Sequence, residues 1–299
     1  MFKHQYKILI FIICGLTAYF GVYQVSTEKN TELVNSYSEK PIDIISDISI
    51  ATLLEISGIS KQVKQFPALF KGSMQQSAQQ GMVLSLAEYT AITQSIDNSI
   101  LPSIILKGIS AKLKSELKQN DAEVLIAWYQ STLGKKIANA EENSQTESAY
   151  QAMVEQKTIL LSNTERVAFA ERLDILVGAT KMTNKIQQNV QMAVNSNIEL
   201  ALSPDRGLDT VALKIALGLE TKINLAIEQM VIISFVYSYQ SLSIEELTQY
   251  ETFLNQNFTK KFNKVILSGI NSGLENAILS WLDSSAVSLS TIEPNDDWE

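Results

Sequence analysis

Apolar residues recur at three- and four-residue spacing along most of the chain from Ile45 onward, the period of a helix with one buried face. Ile48, Leu53, Ile56, Ile59 and Val63 set the first such face. Pro67 is expected to bend or end that helix, because its ring removes an amide donor and crowds the preceding turn. Good helix formers fill the proline-free interval between Pro102 and Pro204. Helix starts are expected at Asn120 with Glu123, Ser162 with Glu165 and Ser243 with Glu246, spacings that let two side chains cap each other's backbone amides. Ser203-Pro204 reads as a further N-cap with proline at the first helical position. Leu208, Val211, Ile215, Leu219, Ile223, Ile227, Met230 and Ile233 follow it on one stripe, expected to be buried. Met230 to Tyr239 is apolar nearly all round and β-branched, so a strand is the alternative there. No Asn-Gly or Asp-Gly hairpin signal occurs, and the expected fold is an all-α helical bundle.

The start of the chain is built differently. Ile8 to Ser26 carries no charge and follows Lys3 and Lys7, so residues 1–26 read as a hydrophobic helix preceding the bundle, either a signal anchor or a signal peptide. No small-x-small cleavage pattern closes it, since Leu16 lies two places before Ala18 and Tyr19 two before Gly21, which favours the anchor. The positive-inside tendency keeps Lys3 and Lys7 in the cytoplasm. The body is therefore expected in the periplasm, held at a bacterial inner membrane, or soluble there if the segment is cleaved. Residues 27–40 are polar and aperiodic, a tether. The body then divides into a first helical half, 41–142, and a second, 143–290, with the break in the polar run Asn139 to Thr146 and an acidic tail at 291–299.

The two halves read as related. Asn120 to Ile137 aligns with Glu245 to Phe262 at an offset of 125, which sets Trp128 on Phe253, Leu133 on Phe258, Lys135 on Lys260 and Lys136 on Lys261. Upstream, the segment around Gly58 resembles that around Gly178 at an offset of 120. Within the first copy, Ala127 to Ile137 has an aromatic pair, Trp128-Tyr129, then Ser131-Thr132, then Gly134-Lys135-Lys136. This resembles the signature of an uncharacterised family of exported helical bacterial proteins, domain of unknown function 2059, with Thr132 where the family has proline. The resemblance spans part of the first half and implies a periplasmic address and no particular activity.

Composition narrows the chemistry. The only His is His4 and the only Cys is Cys14, so residues 15–299 can form no Ser-His-Asp triad, no Cys-His dyad and no His or thiolate metal site. The net charge is −8, and residues 26–299 carry 22 bases against 32 acids, a net −10 that disfavours a nucleic-acid partner. No phosphate loop or EF-hand loop is present, and neither cofactor nor metal is expected. Carboxylate chemistry, such as glycan cleavage, is the remaining catalytic route. These features point to a non-enzymatic binding or accessory protein of an envelope complex, attached to the membrane through its N-terminal helix and working with an envelope protein partner. The alternative is a carrier of a lipid or other apolar molecule in a cavity between helices, suggested by the large apolar residues of Ala226 to Tyr239. Trp128, Tyr129, Lys135, Lys136, Phe253, Lys260 and Lys261 are the candidate interaction surface, set against burial of the aromatics on a core face and solvation of the lysines.

Overall fold

The computed structural model describes residues 44–81, 84–203, 209–219 and 224–292. The hydrophobic N-terminal segment, the tether, Pro204 of the expected Ser203-Pro204 cap and most of the acidic tail lie outside these residues. Among the described residues the protein is all-helical, its only β-type pairing being one antiparallel bridge between Ile44 and Lys118. No helix among them is long and apolar enough to cross a membrane.

The N-terminal elements are α1 (Asp47–Ile56), α2 (Ile59–Val63), α3 (Phe66–Gln79), α4 (Leu86–Ser99) and α5 (Pro102–Glu116). The continuous helix expected from Ile45 is interrupted at Gly58, which adopts φ 74°, a conformation that glycine reaches without a Cβ penalty. Within α1, Ile48 and Leu53 are five residues apart, about 140° round the helix, and cannot share a face. Leu53, Ile59 and Val63 are buried as expected, but Ile48 points outward at 80% exposure, and Ile50 and Leu54 take its place in the core. Pro67 begins a helix instead of ending one, since it sits in the first turn of α3 where its missing N–H has no intrahelical partner to lose.

Four helices follow, α6 (Gln119–Gln130), α7 (Thr132–Asn143), α8 (Glu147–Glu155) and α9 (Lys157–Ser162). The start expected at Asn120 falls instead at Lys118, where the bridge to Ile44 holds the chain extended up to the helix. Gln119 ties this corner to α1, accepting from the Ser46 amide at 2.8 Å and donating to Ser49 Oγ at 3.0 Å. Likewise Asn163, not Ser162, caps α10 (Thr164–Val177) by accepting from the Arg166 amide at 3.1 Å, because Ser162 still belongs to α9.

The remaining elements are α11 (Ala179–Leu202), α12 (Thr210–Gly218), α13 (Leu225–Ser238), α14 (Ile244–Leu254) and α15 (Asn257–Ser290). Met230 to Tyr239 is helical through Ser238 and packs deep in the core. The single stripe expected from Leu208 to Ile233 is broken between α12 and α13. In α12 Leu213 and Leu217 face inward, while Val211 and Ile215 stand 67% and 62% exposed. The capping box at Ser243 and Glu246 is present in full, and a second one, at Ser85 and Glu88, opens α4.

The long helix α15 is the spine of the fold, lying against α4, α5 and α11. It meets α5 backbone to backbone because glycines stand at the crossing. A Cβ at Gly269 would lie 2.5 Å from Ile109 Cα, and one at Gly273 would lie 2.6 Å from Ile105 Cα. Further along, Trp281 is fully buried and donates to Ile92 O at 3.1 Å and Ser95 Oγ at 2.9 Å, with its ring edge-on to Phe70 at 5.3 Å. The N-caps of α6 and α7, Lys118 and Ser131, lie 125 residues before those of α14 and α15, Ser243 and Gln256. Gly58 and Gly178, 120 residues apart, both adopt positive φ between two helices.

Candidate functional site: an aromatic junction and a lysine-lined cavity

The α6–α7 corner sets the geometry of the Trp128 region. Ser131 ends α6 and caps α7, its Oγ accepting from the Gly134 amide at 3.0 Å while its own amide donates to Trp128 O at 2.9 Å. The corner is so tight that a Cβ on Gly134 would lie 2.2 Å from Trp128 O. The close approach at Gly134 is thus to the preceding turn of its own chain, not to a crossing helix.

This corner aims Trp128 at α14. Its ring stacks on Phe253 with centroids 3.7 Å apart and planes 3° from parallel, lies 5.5 Å from Tyr250, and meets Tyr129 edge-on at 5.3 Å. Tyr129 and Phe253 are buried and Trp128 is half-buried, so all three belong to an internal junction between α6 and α14. At its rim, Lys136 Nζ donates to both oxygens of Glu246, at 2.6 and 2.7 Å. The Lys136 hydrogen bond, followed by the Ser243 amide, holds the Glu246 carboxyl below its ordinary range. Lys135 and Lys260 are exposed and Lys261 is partly so.

Behind the stack lies Glu141, fully buried on α7. Its Oε1 accepts from the phenol of Tyr239 on α13 and, at 3.5 Å, from that of Tyr250 on α14. Burial, and secondarily the nearby Glu141 charge, raise the Tyr129 pKa far above its ordinary value and keep the phenol neutral. The sequence reading missed this carboxylate because it stands within a polar run that resembles a loop. Its burial depends on tyrosines about a hundred residues further on. Among the described residues no cluster of His, Cys, Asp and Glu is placed to hold a metal.

A second feature lies elsewhere. Between α11, the end of α12 and α15 is a cavity of about 390 Å³, with Lys181, Lys185 and Lys264 on its wall beside Leu219 and Leu267. None of these was singled out as a site residue, although Lys181 and Lys185 stand one helical turn apart in sequence. The apolar residues that suggested a cavity, around Val231 to Val236, are instead packed in the core.

No curated protein and no solved structure matches this chain. Residues 106–160, from α5 into α9, match the family model of an uncharacterised protein conserved in bacteria, domain of unknown function 2059, a range that includes Trp128 to Lys136.

Proposed function

We propose that this protein is a non-enzymatic binding or accessory component of a bacterial envelope complex, held by its N-terminal segment with the helical body facing the periplasm. The observation that carries this reading is the use made of the family signature. Trp128, Tyr129 and Gly134 join α6 to α7 and α14, and Lys136 pairs with Glu246, so the signature supports the architecture of the body. The lack of His and Cys after Cys14 agrees with a role in binding. We further propose that the body arose by duplication, which the paired helix starts at an offset of 125, the two positive-φ glycines and the stacking of the equivalent Trp128 and Phe253 support.

The test is site-specific photocrosslinking in living cells, with the crosslinker placed in turn at Lys135, Lys260 and Val211, all exposed. One discrete adduct with an envelope protein is expected. The reading fails if no position gives an adduct and the purified chain cleaves cell-wall glycans. A second reading, a carrier of an amphiphilic small molecule, is favoured by the cavity at Lys181, Lys185 and Lys264, whose size lies within the range of small-ligand sites.

A further inference from the structure

The cavity between α11, α12 and α15 combines charge and apolar surface in one place. Lys181 and Lys185 come from successive turns of α11 and Lys264 from α15, three cations in a body whose net charge is −10. Met182, Leu219 and Leu267 supply the apolar part of the wall. Lys185 is held in place by donating to Leu219 O at the end of α12, and one residue earlier Asn184 accepts from the Asn224 amide at 2.9 Å. Leu219 and Asn224 are thus each tied to α11. Burial lowers the Lys185 pKa, the expected response of an ammonium drawn partly out of water, while the nearby Glu275 charge opposes that shift. Asn271, also on the wall, has its side-chain oxygen buried with no hydrogen-bond partner in the protein.

The N-terminal half offers an internal comparison. By the offsets of 120 and 125 residues, Lys181 corresponds to Lys61 and Leu267 to Glu142. Lys61 and Glu142 form an ion pair. The second unit thus has an apolar side chain, Leu267, where the first has an acid. A lysine is a compact charge that attracts phosphate or carboxylate, and a neighbouring apolar wall selects an anion carrying a hydrocarbon chain.

We propose that this cavity binds an amphiphilic anion, its phosphate or carboxylate head held by Lys181, Lys185 and Lys264 and its chain lying against Met182, Leu219 and Leu267. The proposal rests on the carrier reading above and adds the charge of the ligand and the residues that meet it.

The test is calorimetric titration of octyl phosphate into the full-length chain in phosphatidylcholine nanodiscs, with empty nanodiscs subtracted. Octanol and inorganic phosphate are run in parallel. The expected result is saturable one-to-one binding of octyl phosphate, at least tenfold tighter than either comparator. The Lys181→Gln/Lys264→Gln double variant should weaken it at least tenfold, and Lys181→Arg/Lys264→Arg should restore most of it. Gly218→Leu should also weaken binding: Gly218 lines the cavity and a Cβ there meets nothing within 4 Å, so the position has room for a larger side chain. Octanol binding as tightly as octyl phosphate, with no effect of the glutamine variants, would overturn the anion assignment and leave the carrier reading standing. Inorganic phosphate binding as tightly as octyl phosphate would overturn the amphiphilic part. Binding of neither octanol nor octyl phosphate would remove both readings.

Discussion

Replacing Gly134 by alanine isolates the geometry of the signature corner. At an unconstrained helical position this substitution stabilises by up to about 1 kcal/mol, because alanine loses less backbone entropy. Here the added Cβ would lie 2.2 Å from Trp128 O and 3.0 Å from Tyr129 Cα, both backbone atoms that no rotamer change can move aside. A carbon–oxygen contact normally needs about 1 Å more than that, so α6 and α7 must separate at Ser131. The separation strains the Ser131 cap on the Gly134 amide and shifts Trp128 off Phe253. Forced overpacking of this kind costs about 1–3 kcal/mol. Set against the propensity gain, a net loss of about 1–2 kcal/mol follows, equivalent to a fall in Tm of roughly 2–8 °C for a body of this size. Urea denaturation followed by far-ultraviolet circular dichroism measures the first quantity and a thermal melt the second. An unchanged or raised midpoint for Gly134→Ala would refute the corner as described.

Gly269→Ala should destabilise by at least about 1–3 kcal/mol, read as a lower urea midpoint, because its Cβ would press on Ile109 Cα where α15 crosses α5. Trp281→Phe should cost about 1–3 kcal/mol in the same assay, since it empties space beside Phe70 and removes the donor to Ile92 O and Ser95 Oγ. Alkali offers a third check, through Tyr129. Its folded pKa is raised above the ordinary 10.0, so above about pH 10 the unfolded chain has lost a proton that the folded one retains. Stability should then fall with rising pH, by up to about 1.4 kcal/mol per pH unit from this residue. Tyr129→Phe should shallow that decline between pH 10 and 11, and a wild-type slope retained in full would count against the buried neutral phenol.

What the sequence made legible was local. The Ser243–Glu246 box depends on residues three apart, and it is present as expected. The helical character of Met230 to Tyr239 follows from the periodicity leading into it. Burial faces were harder to read, because they depend on phase. Ile48 stands five residues before Leu53 on α1, about 140° round the helix, and so faces outward when Leu53 faces in, while the break between α12 and α13 leaves Val211 and Ile215 exposed. The aromatic signature was legible as an apolar helical face. That Trp128 and Phe253 stack on each other is a long-range fact that no local pattern carries. Glu141 shows the same limit, since only the approach of Tyr239 and Tyr250 turns an acid in a polar run into a buried acceptor. The glycines of α15 are ordinary in sequence and become informative only when α5 is laid against them. Lys181, Lys185 and Lys264 come together only through the packing of α11 on α15.

The most direct test of a binding role is native mass spectrometry of the full-length protein released from its own membranes in mild detergent. A species with its N-terminal segment intact and one envelope protein bound in fixed stoichiometry is the predicted result. A shortened chain observed alone, with neither protein nor small-molecule partner, would contradict it.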